Sequence, residues 1–183
     1  MDNSATGPSA IDIDGLRVAA RRGWQVASLR YFDREGVFAA AVRECIGQGV
    51  PEPLQAIACR PAIHDAQVIL AWRSPTETLF LCSDRAAFDE IEQRLAPAAD
   101  GCMVDQSAGV SILQVQGCRA VDLLQRMGAQ TVIPGPGEAR AARMAEVHVL
   151  TVCIQPGEYF LFVERAYAAH LAEWVRATAA DMR

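Results

Sequence analysis

One arrangement is written twice in this chain: a short β-hairpin runs into an amphipathic helix, and the pair recurs roughly eighty residues later. In the first copy, apolar residues 66–72 lead through Ser74, Pro75, Thr76 and Glu77 to residues 79–82, and a helix is expected from Ser83 and Asp84 to about Leu95. In the second, residues 145–153 lead through Gln155, Pro156, Gly157 and Glu158 to residues 159–163, with a helix from about Glu164 to Ala177. A further strand and helix precede each hairpin, residues 25–31 with 34–46 and residues 110–115 with 118–127. The chain therefore reads as an α+β fold of two β-α-β-β-α lobes, residues 15–96 and 97–183, with antiparallel hairpins packed against helices.

Residues 1–14 are small and polar and are expected to form a flexible tail, and residues 15–23, with Arg17, Arg21 and Arg22, an approach to the first strand. Pro51 and Pro53 force an extended connection after the first helix. Between the lobes, residues 96–101 resemble a linker but are too short for independent motion, so the lobes should share an interface in one compact unit. A length of 183 residues suits that arrangement. The hydrophobic fraction of 51% supplies a real core and leaves an excess that fits a buried partner interface.

Charge and residue usage exclude several functions. A net charge of −5 without a basic stripe argues against nucleic-acid binding, whose affinity comes from cations that neutralise phosphates. All 17 basic residues are arginine. Without lysine there is no P-loop lysine, no Schiff base and no covalently attached pyridoxal phosphate or biotin. No apolar run reaches the about 20 residues that a bilayer crossing needs, and the first residues lack the charged and apolar regions of a signal peptide; the expectation is a cytoplasmic protein without membrane contact. Cys45, Cys59, Cys82, Cys102, Cys118 and Cys153 form no C-x-x-C pair, and free core thiols are expected.

The search for catalytic chemistry returns no catalytic, cofactor-binding or metal-ligating residue. His64, His148 and His170 stand apart from any second ligand at metal spacing. There is no G-x-S-x-G nucleophile elbow, and the proline-rich loop 134–137 lacks the backbone donors that cradle a phosphate. Asp65 and the run Asp105, Gln106 and Ser107 stand where strands begin, as turn and capping residues do. Arg140 and Arg143, with Glu138 and Glu146, read as a solvated segment of alternating charge and secondarily as an interface contact, for which the helix faces near Arg119 and Arg126 and the loop from Pro134 to Arg143 are candidates.

These segments resemble a known family, the gamma subunit of heterotetrameric sarcosine oxidase, a relative of the folate-binding T protein of glycine cleavage. In the first lobe the resemblance rests on residues 26–30, the helix 37–46 with Gly47, Pro51 and Pro53, and the hairpin residues 74–81. In the second it rests on residues 104–107, 112–117, 120–124, Pro136 with Gly137, residues 143–145, and residues 159–163 through Leu171 and Trp174. Order and spacing carry it from about Gly15 to Trp174.

The resemblance implies a T-protein-like fold and a complex that oxidatively demethylates sarcosine to glycine, forming hydrogen peroxide and 5,10-methylenetetrahydrofolate. It further implies that FAD, FMN, NAD and tetrahydrofolate lie on other subunits, and that this chain is a non-catalytic assembly subunit beside larger alpha and beta flavoenzyme chains and a small delta chain. Ser74 and Thr78 replace the family's usual glycine and tryptophan, which leaves open the equivalent subunit of an N-methylglutamate dehydrogenase. A stand-alone folate-binding or aminomethyltransferase-like protein is the other alternative. Asp65 motivates it, at a place where folate-binding relatives carry a functional aspartate pair, while Ser83 and Asp84 replace an asparagine of those relatives.

Overall fold

The computed structural model describes residues 10–62, 65–129 and 132–182, and both expected hairpins form in it. Strands β5 (Val68–Ser74) and β6 (Glu77–Cys82) close around Pro75 and Thr76, and β10 (Val147–Gln155) and β11 (Glu158–Glu164) close around Pro156 and Gly157. Each hairpin carries an irregularity in the same place, one between Trp72 and Ser74, the other between Cys153 and Gln155. An extra residue just before a tight turn sharpens the local twist, so the two copies coil alike.

Among the described residues there are four α-helices, each with a stop or start legible in its residues. Helix α1 (Val37–Ile46) begins later than expected because Asp33 holds a turn through the amides of Glu35 and Gly36; its first turn is capped from a distance by Asp100, which accepts from the Phe38 amide at 2.7 Å. Helix α2 (Arg85–Leu95) is capped by Asp84, which accepts from Ala87 at 2.8 Å. Helix α3 (Ala120–Leu124) loosens into a wider turn, Gln125–Ala129, that ends at Gly128 in a left-handed conformation. Helix α4 (Ala168–Ala180) follows a 3₁₀ turn at Arg165–Tyr167 and so begins after the expected Glu164.

Residues read as tail, approach and loop are strands. β1 (Ile11–Ile13) and β2 (Leu16–Ala20) form a hairpin, so the expected flexible tail does not extend to residue 14: Ile11 and Ile13 pack against the core. The segment with Arg140 and Arg143 is β9 (Glu138–Met144), a strand paired to β10 along its whole length whose charged side chains stay partly or largely exposed, as a solvated segment of alternating charge requires. Burial of Ala139 and Met144 fixes it. β4 (Ala56–Cys59) and β7 (Gly101–Asp105) complete the set with β3 (Gln25–Tyr31) and β8 (Val110–Gln116).

Among the described residues the strands form two antiparallel sheets, ordered β4-β5-β6-β3-β7 and β9-β10-β11-β8-β2-β1. The two orders match element for element: β3 corresponds to β8, the hairpin β5-β6 to β10-β11, β4 to β9, and β7 to β2. This correspondence reveals an exchange. β2, which leads into β3, pairs with β8 of the other lobe; β7, which leads into β8, pairs with β3. Each lobe thus gives its leading strand to the sheet of the other.

The layers run helix, sheet, sheet, helix. Phe38, Val42, Phe88 and Ile91 of α1 and α2 pack on Leu29, Leu70 and Phe80. Ile69, Leu79 and Leu81 meet Ile112, Phe160 and Phe162 between the sheets, and Leu123, Leu171 and Val175 cover Val115, Val149 and Leu161 on the far side. Alternate strand residues serve opposite faces, so each sheet is apolar on both. The exchanged β2 is fastened at a glycine crossing: the Arg119 amide donates to the Gly15 carbonyl at 3.0 Å, beside Gly117, which at φ 122° extends the β8–β11 ladder by donating to the Gly157 carbonyl at 2.9 Å.

Candidate functional site

The duplication places a glutamate at the same point of each hairpin, the first residue after the turn. Glu77 lies on β6 opposite Arg30 of β3; it accepts from the Ser28 hydroxyl and from Arg73 at 3.1 Å, with Arg30 at 4.0 Å. Glu158 lies on β11 opposite Gln116 of β8; it accepts from Gln114, from Gln116 at 3.0 Å and from Gln155 at 2.7 Å. Sequence reasoning treated both as turn residues. The signal was present as a shared proline, any residue, glutamate pattern in the two turns.

Two clefts reach residues of the Glu77 cluster, and neither is lined by the Glu158 cluster. One, of about 480 Å³, lies at the end of β3 and β7 and is lined by Arg30, Phe32, Thr76, Glu77, Ala99 and Cys102. The other, of about 260 Å³, lies where the sheets diverge, with Leu79, Val110 and Phe162 in its wall and Arg73, His148 and Glu164 at its rim. Large apolar side chains stand in solvent around the molecule: Phe32 at 91% exposure, Val37 at 67%, and Val104, Val121, Tyr167 and Trp174.

The residues singled out for folate chemistry do not converge. Asp65 is exposed and ion-paired with Arg60 at 2.6 Å. Ser83 accepts from the Gln67 amide at 2.9 Å, and Asp84 caps α2. None of the three lines either cleft. A pterin or glutamyl group asks for carboxylates and donors facing one cavity, and these residues do not fit it. Asp105 pairs with Arg85 at 3.3 Å and accepts from the Ser107 amide at 2.8 Å. Partial burial pushes its carboxyl up, but the hydrogen bonds from Ser107 and Arg85 prevail and hold it below the usual carboxylate value.

The remaining candidates are held locally. The Gly135 amide and the Arg140 guanidinium, 3.2 Å away, lower Glu138, and Arg143 pairs with Glu146 at 3.0 Å. His170 bonds the Ala145 carbonyl through Nε2 at 2.8 Å; His64 lies outside the described residues. Among the described residues there is no group of three or more His, Cys, Asp or Glu placed for a metal. The expectation of core thiols holds for Cys45, Cys82 and Cys153, whose thiols burial pushes up, and for half-buried Cys59, pushed up to about 11. Cys102 and Cys118 are exposed: Cys102 is on the edge strand β7, and Cys118 lies in the turn between β8 and α3.

A strand-exchanged helix–sheet–sheet–helix fold with paired hairpin glutamates defines the class. No protein-family pattern and no curated protein matches the sequence. Among solved structures, the heterotetrameric sarcosine oxidase of Corynebacterium sp. U-96, in complex with pyrrole 2-carboxylate, contains a chain with this fold: TM-score 0.74 and 18% identity, covering 91% of this chain and 84% of that one. Glycine cleavage system aminomethyltransferase T from Bartonella henselae matches with TM-score 0.67 and 12% identity over 86% of this chain and 44% of that chain, so this chain spans less than half its length. The likeness is one of fold, and it bears out the T-protein-like α+β architecture that the sequence resemblance implies.

Proposed function

We propose that this chain is a small non-catalytic assembly subunit of a heterotetrameric flavoprotein that oxidatively demethylates sarcosine, or a similar N-methyl amino acid such as N-methylglutamate. The single observation that supports the reading most is the likeness of the whole fold to a chain of a heterotetrameric sarcosine oxidase, which extends over 91% of this chain and 84% of the other. A match of both lengths fits an equivalent subunit better than a domain cut from a larger enzyme. On this reading the larger alpha and beta chains and a small delta chain are its partners, and FAD, FMN, NAD and tetrahydrofolate reside on them. Asp65, tied to Arg60 on the surface, and Asp84, tied to a helix end, support a chain without folate chemistry of its own.

The test is affinity purification of the chain from its native cells, with identification of co-eluting chains and an absorption spectrum. Larger chains with a flavin spectrum, and turnover of sarcosine or another N-methyl amine, are expected. Elution of a colourless protein alone, with stoichiometric tetrahydrofolate binding by calorimetry that Asp65→Ala abolishes, would replace this reading with a stand-alone folate binder.

A further inference from the structure

The matched sheet orders differ at one end. In the second sheet β2 is not the last strand: β1 pairs with its outer edge, Ile11 opposite Val18, Asp12 opposite Arg17 and Ile13 opposite Leu16. In the first sheet the equivalent strand, β7, is the last. Equivalence of the ladders sets Met103 in the place of Val18, Cys102 in that of Arg17 and Gly101 in that of Leu16. Among the described residues, the position taken by β1 in one lobe is open in the other.

The backbone of β7 is prepared for it. Phe32 donates to Asp100 at 3.2 Å and Gln106 donates to Val26 at 2.8 Å, one at each end of the β3–β7 ladder. Bonded and non-bonded pairs alternate in an antiparallel ladder, so Cys102 and Val104 bond β3, while Gly101, Met103 and Asp105 turn their N–H and C=O groups to the open edge. β2 meets β1 through the equivalents of Met103 and Gly101, Val18 and Leu16. No proline or lysine blunts the strand, and its outward side chains include the exposed Val104 and Cys102.

Charge and shape narrow the occupant. Arg30 is on the same face as its register partner Cys102; its side chain is 60% exposed and lies 4.0 Å from Glu77, which also serves Arg73 and Ser28. Two guanidiniums against one carboxylate leave a positive charge facing the groove. A residue opposite Cys102 on an added strand lies about 9–10 Å from β3, two strand spacings, within reach of a guanidinium over the small cysteine. Beyond Gly101 the groove continues into the cleft of about 480 Å³ lined by Phe32 and Ala99, which suits a large apolar side chain. A second copy of β7, antiparallel about Met103, brings its Asp105 and the Ser107 turn over that apolar end and no free carboxylate to Arg30, since Arg85 already holds Asp105.

We propose that the open edge of β7 receives a short extended segment of a partner chain, apolar, acidic, apolar in sequence, which adds to the first sheet as β1 adds to the second. The proposal rests on the assembly reading and names the surface that serves it. The acidic residue faces Arg30 across Cys102, and the apolar residues flank it opposite Met103 and Gly101.

The test uses the complex purified through a tag on this chain, with hydrogen exchange read at residues 101–105 in the complex and in the isolated chain. Two variants accompany it. Met103→Pro removes the outward donor that an edge strand can spare, together with a partly buried side chain packed against the first core, and Arg30→Glu reverses the charge; thermal melts check that both fold. Exchange slowed by about tenfold or more in the complex, with partner chains lost from both variants, is the expected result. Partner chains that co-purify while residues 101–105 exchange as in the isolated chain overturn the β7 site and leave the assembly reading standing. A monomer that elutes alone overturns both. The same protection in a self-associated isolated chain overturns the partner segment in favour of a second copy.

Discussion

Single side chains at the lobe ends carry more of the fold than their exposure suggests. Asp84 supplies the only side-chain cap of α2 among the described residues, and its loss leaves the Ala87 amide without a partner. Asp84→Ala is expected to cost about 1 kcal/mol in urea unfolding, with no change in the denaturant slope. Asp105 makes a pH-dependent contribution. Its carboxyl is held below the ordinary value in the folded chain, so its stabilisation is present above the unfolded value near pH ~4 and is lost as pH falls through the folded one. Because its side chain is 37% exposed, Asp105→Asn should cost less than about 1 kcal/mol at neutral pH. The gap between variant and parent should close in melts taken at acid pH; a gap that persists there would assign the effect to something other than the charge.

At the level of elements, what the sequence made legible was what local pattern specifies. Both hairpins, β3, β8 and the amphipathic helices follow from alternation, turn residues and 3.6-residue periodicity. β2 and β7 escaped because their reasons are not local: they pair with β8 and β3 of the other lobe, and Ala19 and Ala20 show no alternation. β1 and β9 pair with their chain neighbours β2 and β10 across two-residue turns; Ile11, Asp12 and Ile13 alternate before Asp14 and Gly15, a local hairpin signal that the reading as a polar tail passed over, while Ala139, Ala141 and Ala142 blur the pattern of β9. The paired glutamates were visible as letters, but their role needed the register that sets each beside β3 or β8. The crossing that holds β2 in place gives a direct check. A Cβ on Gly117 would stand 2.2 Å from the Gly15 carbonyl oxygen at a φ of +122°, so Gly117→Ala should destabilise by about 3 kcal/mol or more. Gly23, at φ +83° with nothing within 4 Å, is the control: Gly23→Ala bears the backbone strain alone, about 1–2 kcal/mol. Equal costs for the two would mean that the crossing does not constrain β2.

For the whole molecule the strand exchange decides how the lobes depend on one another. A cut after residue 96 follows the internal repeat, yet it gives the first fragment β2 without β8 and the second β7 without β3. The first fragment then exposes the margin of β3 where β7 lay, and the second loses Leu16 and Val18 from the core under α3 and α4. Both lose the apolar layer between the sheets, where Ile69, Leu79 and Leu81 meet Ile112, Phe160 and Phe162. Burying one such side chain contributes about 1.5–3 kcal/mol, and a small domain has only about 5–15 kcal/mol of net stability. Fragments 1–96 and 97–183 are therefore expected to lack cooperative melts when expressed separately and to regain one when mixed, since each carries the strand that the other sheet lacks. Circular dichroism melts of the fragments and of their equimolar mixture make the measurement. Separate cooperative unfolding of either fragment would show that a lobe closes its own sheet without the exchanged strand.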